Sequence, residues 1–178
     1  GGRGGGPGWS GGVEVSHGVV REGDGVFETV RGDLAAEHGL TYDALKEGNP
    51  RIVCGHLSAY GRTGSRVAWP GYDYLMQAEA GYLSRTGEPD GPPARMGLSI
   101  VDMMTGVTAV LGLLAGILDA RSTGVVRDVD VSLYDVAMNN LNYVGAWYLN
   151  EGNVLSREPR SAHPSLTPSQ LYRTAAGR

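Results

Sequence analysis

Short apolar runs alternate with segments of helical periodicity along this chain. Strand-like runs of apolar and β-branched residues occur at 26–30, 51–58 and 125–131. Helical spacing of apolar residues occurs at 42–47, 72–83, 100–120 and 132–149. Because strands that alternate with helices are typical of a parallel sheet covered by helices, the pattern predicts an α/β fold with a short parallel sheet of about three strands.

The segment at residues 100–120 is apolar on nearly every face. Helices of that kind are usually buried, so we expect a core helix that begins near Ile100. Its longest apolar run, Val107–Leu118, has 12 residues, whereas a membrane span needs about 20. We therefore predict no membrane contact. Ser132, with Asp135 three residues later, predicts a capping box at the start of the next helix.

Glycine is concentrated at the amino-terminal end. The chain has 29 glycines in 178 residues, and eight of them fall in residues 1–12. Such a segment buries little surface and loses much backbone entropy when it becomes ordered. Residues 1–25 are therefore predicted to be a disordered Gly-rich segment, followed by a folded domain at residues 26–178. A phosphate-binding loop would need a strand before the glycines, and none is apparent.

Charge and cysteine content limit the partners and the cell compartment that we expect for this chain. Lys and Arg total 15 against 19 Asp and Glu, a net charge of −4, so we expect no nucleic-acid partner, since such proteins carry a basic patch or stripe. Cys54 is the single cysteine and cannot form an internal disulfide, and no signal peptide is visible; both favour the cytoplasm. The four histidines lack metal-ligand spacing, so no metal site is predicted.

Asp102 is the strongest candidate for chemistry. It lies in the first turn of the most apolar helix, where the partial positive charge and free N–H groups of a helix start would keep a carboxylate ionised. Ser99 lies three residues earlier, so a capping box is an equally simple explanation. Gly106, one turn later, weakens the helix, which favours close approach by a ligand or another backbone.

Several motifs follow one another in residues 26–177. They are ETVR at 28–31, NPRIV at 49–53, YGRTG at 60–64, PGYDYLMQA at 70–78, TGEPDGPP at 86–93, DMMTG at 102–106 and VDVSLYD at 129–135. In this order they resemble ENFRPG, NPRLV, GxGxTGP, RPGYDxxxQA, TGEPDGPP, DxxTG and VDVSLxD of the family III CoA-transferases, the CaiB/BaiF superfamily. Members of that family are more than twice this long. We therefore expect a fragment: a partial large domain with a short parallel sheet flanked by helices.

The resemblance implies a chemistry and a set of residues. Asp102 stands at the position of the family's nucleophile, which takes CoA from an acyl-CoA thioester and passes it to a carboxylate through mixed-anhydride and aspartyl-CoA intermediates. Tyr72, Leu34 and His38 stand at positions that contact CoA. The resemblance implies coenzyme A and acyl-CoA as substrates, a carboxylic acid as acceptor, no tightly bound cofactor and an interlocked homodimer.

Two alternatives stay open at this point. The first is a racemase of the same superfamily, which pairs the aspartate at the position of Asp102 with a histidine at the position of Tyr72. Tyrosine is a poor base at neutral pH, because its reference pKa is about 10, so Tyr72 favours CoA transfer over racemisation. A truncated, non-catalytic remnant is the other alternative. The transfer hypothesis also suggests that backbone N–H groups of Gly61 and Gly64 stabilise anionic intermediates.

Overall fold

The computed structural model describes residues 19–176. Among these residues the strands are β1 (Gly25–Glu28), β2 (Val53–Ser58) and β3 (Val129–Ser132). The helices are α1 (Leu34–Glu37), α2 (Tyr42–Leu45), α3 (Asp73–Glu79), α4 (Ile100–Thr123), α5 (Leu133–Asn139) and α6 (Asn142–Glu151). Short 3₁₀ turns occur at Tyr82–Ser84 and Pro159–Ser161.

The strands form one parallel sheet in the order β1-β2-β3. Gly25–Glu28 pair with the first four residues of β2, from Val53 to His56, and the last four residues of β2 pair with β3. The predicted α/β fold with a short parallel sheet is confirmed. Because the strands are parallel, all three carboxyl ends lie at one edge of the sheet, which is where such sheets bind ligands.

Part of the predicted Gly-rich segment, residues 19–25, is described by the structure. Residues 1–18 of the predicted Gly-rich segment lie outside the described residues. Within residues 19–25, the chain is helical at 19–22, and Val20 is buried with Leu45, Ile52 and Cys54 in a hydrophobic cluster. The helical turn is stabilised by this burial, which the interrupted apolar pattern of the segment does not reveal.

The long helix begins at Ile100, as predicted, but it is not buried on all sides. Four of its 24 residues are buried, whereas Leu111 is 63% and Leu118 65% exposed. A narrow sheet covers one face only: a Cβ atom at Gly112 or Gly116 would lie 2.7 or 2.9 Å from a valine methyl group of β3 or β2. The prediction of a fully buried helix is therefore wrong for this chain taken alone.

By length and composition, α4 is the one helix among residues 19–176 that could cross a membrane. The 12-residue apolar run Val107–Leu118 gives too short a length for this helix, since the helix extends beyond that run at both ends. Here α4 lies along β2 and β3 and against α5. Core helices of folded domains share this length and composition, so the two properties do not by themselves distinguish a membrane span from a core helix.

The helix predicted at residues 132–149 is two helices. Ser132 caps the first, because its Oγ accepts a hydrogen bond from the Asp135 N–H at 3.0 Å. The predicted cap is confirmed, but Asp135 returns its bond through the Ser132 hydroxyl, which donates to its carboxylate at 2.7 Å. The helix ends at Asn139 and the next begins at Asn142, whose φ is +50°. Asparagine tolerates this left-handed backbone conformation better than most residues do, and the change of conformation at Asn142 separates α5 from α6.

A group of ionisable side chains joins the three strands around the buried His56. His56 on β2 is 1% exposed; its Nδ1 lies 2.7 Å from Oε1 of Glu28 on β1, and its Nε2 lies 3.5 Å from Oδ2 of Asp128. Arg62 Nη2 donates to Asp128 and to Asp130 of β3, each at 2.9 Å. The imidazole thus stands between two carboxylates in the interior.

We predict that His56→Leu lowers the free energy of unfolding by about 3–5 kcal/mol, because the buried Glu28 carboxylate loses its partner. Urea denaturation of a complete protein that carries this chain measures the loss. The exposed Lys46–Asp43 pair, 2.6 Å apart, supplies the control, since Lys46→Ala should leave the midpoint almost unchanged. Equal midpoints for the two variants would contradict a stabilising role for His56.

Candidate active site

Loops from two neighbouring strands meet beyond the sheet edge. The loop after β1 leads to α1, and the loop after β2 leads to α3. Gly32 in the first loop is packed so closely that a Cβ atom there would lie 2.2 Å from the carbonyl oxygen of Gly61 in the second. The close approach of these two backbones places the start of α1 beside the loop that ends at Tyr72.

Leu34 and His38 belong to this region. Leu34 is the first residue of α1 and His38 follows its last residue; both are half-buried. No hydrogen bond or ion pair within residues 19–176 joins either of them to Asp102 or Tyr72. The structure therefore places the two predicted CoA contacts at the carboxyl edge of the sheet without bonding them to the nucleophile candidate.

Asp102 is the third residue of α4 and is exposed. Its pKa is raised, first because nearby protein atoms replace part of its hydration and second because the negative charge of Asp73 is close. The backbone N–H of Asp73 acts in the opposite direction and lowers that pKa in part. The net direction of this shift is opposite to the lowering that a helix start by itself would cause.

A buried carboxylate occupies the start of α4. Oδ2 of Asp73, the first residue of α3, accepts hydrogen bonds from the backbone N–H groups of Val101 at 2.7 Å and Asp102 at 3.1 Å. Its Oδ1 accepts from Gln77 Nε2 at 2.6 Å. Asp73 and Gln77 are both buried. Asp73 therefore links the start of α3 to the start of α4.

This arrangement removes one of the two explanations of Asp102. Ser99 makes no side-chain capping bond, so the predicted alternative of a capping box with Asp102 is wrong. The free N–H groups expected at the helix start are also absent at Val101 and Asp102, because Asp73 accepts from both. An aspartate on another helix, 29 residues away, performs the capping.

Tyr72 is brought close to Asp102 through this link. It is the N-cap of α3, directly before Asp73, and its side chain is 61% exposed. Since Asp73 accepts the Asp102 N–H, the tyrosine stands one residue from a direct partner of Asp102. The structure thus groups Asp102 and Tyr72, as two of the four predicted site residues.

A shallow apolar surface, here called the groove, starts at Asp102 and follows the exposed side of α4; it is open to solvent and lined by this one helix. Its lining residues are Asp102, Met103, Gly106, Val107, Val110 and Leu111. No atom outside the helix backbone lies within 4 Å of a Cβ position at Gly106, so the close approach expected there is not made by this chain. Gly106 leaves open space one turn from the carboxylate.

The glycines of the loop after β2 have a structural role. Gly61 and Gly64 have φ angles of +87° and +93°, a conformation that favours glycine. The Gly61 N–H donates to Ser58 Oγ at 3.0 Å. That N–H group is therefore engaged, and the suggestion that it stabilises an anionic intermediate does not fit this structure.

Residues 10–178, which include all of these elements, match the family described as CoA-transferase family III. This chain belongs to CoA-transferase family III. The motif around Asp102 that carried the resemblance is thus part of a chain-long match. Among residues 19–176 no group of three or more His, Cys, Asp or Glu side chains is arranged to hold a metal ion.

Curated relatives share this family. A succinate–glutarate CoA-transferase from Agrobacterium fabrum is 34% identical over 166 residues, which are 89% of this chain and 40% of the relative. An acyl-CoA transferase from Fusarium pseudograminearum is 38% identical over 156 residues, 88% of this chain and 34% of the relative. An acetyl-CoA:oxalate CoA-transferase from Acetobacter aceti is 30% identical over 155 residues, 86% and 40% of the two chains.

Solved structures agree with the fold. A CaiB/BaiF family protein from Brucella suis superposes with a TM-score of 0.84 at 28% identity, over 95% of this chain and 44% of that protein. Rv3272 from Mycobacterium tuberculosis gives a TM-score of 0.74 at 28% identity, over 82% and 40% of the two chains. The family III chain thus spans less than half the length of these relatives.

Asp73 and Gln77 were not identified as site residues from the sequence. Their spacing of four residues within YDYLMQ places them one helical turn apart on the same face. A polar pair on the face that also carries the buried Met76 is the signal that could have found them, since buried polar groups need partners.

We predict that Gly32→Ala destabilises the protein by about 1–3 kcal/mol, because the added methyl group would overlap the Gly61 carbonyl oxygen and force the two loops apart. Gly48→Ala is the matched control, since the nearest atom to its Cβ position is 3.5 Å away. Thermal unfolding of the complete family III protein compares them. Similar melting temperatures for both variants would show that the two loops do not need this close approach.

Proposed function

We propose that the complete protein carrying this chain transfers CoA from an acyl-CoA thioester to a carboxylate acceptor, with Asp102 as the nucleophile. The observation that carries this proposal is the exposed Asp102 carboxylate, relieved of capping its own helix by Asp73 and adjoining an open groove. Membership of CoA-transferase family III supports the reaction class.

The chemistry proceeds by four exchanges at carbonyl carbons. An Asp102 oxygen attacks the thioester carbonyl and expels CoA thiolate, which gives a mixed anhydride. The thiolate attacks the aspartyl carbonyl, releases the donor carboxylate and leaves an aspartyl-CoA thioester. The acceptor carboxylate then attacks that thioester, expels the thiolate and forms a second anhydride. Attack of the thiolate on the acceptor carbonyl gives the new acyl-CoA and restores the Asp102 carboxylate.

The groove suits these reaction steps because it leaves the Asp102 carboxylate accessible to the substrates. The carboxylate lies at one end of the groove, and Gly106 leaves room beside it. These features support acyl transfer at Asp102.

CoA itself is assigned to the carboxyl edge of the sheet. In this proposal it contacts Tyr72, Leu34 and His38, which stand on elements that follow β2 and β1. The exposed Tyr72 ring offers a surface for stacking or apolar contact. Coenzyme A enters and leaves as a substrate, no tightly bound cofactor takes part, and the complete protein acts as a homodimer, as the family resemblance implies.

The names of the relatives supply test substrates. Succinyl-CoA with glutarate and acetyl-CoA with oxalate follow from the succinate–glutarate and acetyl-CoA:oxalate enzymes. Neither pair is fixed by the residues described above. Both belong in the first assay of the complete protein.

We predict that Asp102→Asn abolishes CoA transfer and leaves the fold intact, because an amide is a poor nucleophile of almost the same size. Hydroxylamine added after acyl-CoA should label Asp102, since an anhydride or thioester reacts and a free carboxylate does not; mass spectrometry locates the label. Asp119→Asn, at the other end of α4, is the matched control and should retain transfer. Transfer at the original rate by Asp102→Asn, without a label on Asp102 in the parent, would refute the mechanism.

A further inference from the structure

We propose that Asp73, held in place by Gln77, is a positioning residue for the Asp102 nucleophile. It would keep the Asp102 carboxylate turned toward the groove by accepting the backbone N–H groups that this carboxylate would otherwise engage. The inference rests on the function proposed above and assigns a role to two residues outside the predicted site.

The competition arises from the place of Asp102 in the helix. The first N–H groups of a helix have no partner within the helix, and short acidic side chains in the first turn commonly accept from them. Asp102 lies in that turn, and Ser99 provides no alternative, since its side chain makes no capping bond. Without another acceptor, the Asp102 carboxylate is the nearest anion for these donors, and a carboxylate so engaged points along its own helix.

Asp73 removes this competition. Its Oδ2 accepts from Val101 at 2.7 Å and from Asp102 at 3.1 Å. Thr105 Oγ1 donates to the Val101 carbonyl at 2.6 Å and further fixes this first turn. The backbone of Asp102 is therefore anchored by its N–H group, while its side chain stays exposed at the groove.

Gln77 determines the orientation of the Asp73 carboxylate. Its Nε2 donates to Asp73 Oδ1 at 2.6 Å and to the Leu98 carbonyl at 3.2 Å, while its Oε1 accepts from the Met96 N–H at 2.9 Å. Gln77 is fully buried, and these bonds use both ends of its amide. Rotation of the Asp73 carboxylate would break this network, so Oδ2 stays directed at α4.

Asp73 also affects Asp102 through its charge. The negative charge of Asp73 raises the pKa of Asp102 after the larger effect of lost hydration, and the Asp73 backbone N–H opposes both. These effects act on the same carboxylate that the hydrogen bonds position. A residue that acts in this way should change the rate of the chemical step more than the binding of acyl-CoA.

The test measures adduct formation on Asp102 in the complete protein with acetyl-CoA and hydroxylamine. Asp73→Ala should lower the maximal rate of labelling by about 100-fold, the effect of a misplaced reacting group, while the half-saturating acetyl-CoA concentration changes little. Leu45→Ala, in the separate cluster around Ile52, serves as a control matched for loss of thermal stability. It should label Asp102 at the parental rate.

A rescue variant keeps the test valid if Asp73→Ala does not fold. Asp73→Asn keeps an oxygen that can accept from the α4 N–H groups. Its amide NH2 group then faces the NH2 group of Gln77, and because two donors cannot bond to each other, labelling should slow. Adding Gln77→Glu replaces that donor with an acceptor, and the double variant should recover part of the lost rate, because the bond from Gln77 Nε2 to the Leu98 carbonyl is also lost.

Each outcome has one meaning. A parental rate in Asp73→Ala, a loss no greater than in Leu45→Ala, or an Asp73→Asn loss that Gln77→Glu does not relieve would overturn the positioning role. If neither succinyl-CoA nor acetyl-CoA leaves a label on Asp102 in the parental protein, the proposed function itself is overturned, and the positioning role with it.

Discussion

One buried carboxylate organises the candidate site. Asp73 begins α3 and at the same time accepts the first N–H groups of α4, so two helices that are distant in the sequence start at one point. Both helix starts carry partial positive charge, which stabilises a carboxylate placed between them. Tyr72 precedes Asp73 in the chain and Asp102 is hydrogen-bonded to it, so this buried link connects the two exposed residues.

The sheet supplies the frame for that link. Its three parallel strands end at one edge, and His56, two residues before the end of β2, lies between the carboxylates of Glu28 and Asp128. Breaking such an arrangement leaves an uncompensated buried charge, so it constrains how the strand ends sit relative to one another. The loop that leads to Leu34 and the loop that leads to Tyr72 both leave from this edge, and the contact between Gly32 and Gly61 keeps the two loops together.

One side of α4 carries an extended exposed apolar surface. This chain covers about 40% of the curated relatives, and several large apolar side chains of α4, including Leu111, Leu114 and Leu118, are more than half exposed. Apolar surface of this extent is uncommon on a free domain. The three-stranded sheet buries one face of α4, at Gly112 and Gly116, and has no width left to cover another.

The sequence by itself determined the features that depend on neighbours along the chain. The alternation of strands and helices, the start of α4 at Ile100, the helix cap at Ser132 and the order of the family motifs all follow from patterns within a few residues. The tertiary structure alone decided which group caps α4, which faces of α4 are covered, and where the segment after Ser132 breaks into α5 and α6. Those outcomes depend on partners that folding brings together: Asp73 competes with Asp102 for the same N–H groups only because α3 packs against the start of α4, and no local pattern around Asp102 encodes that competitor.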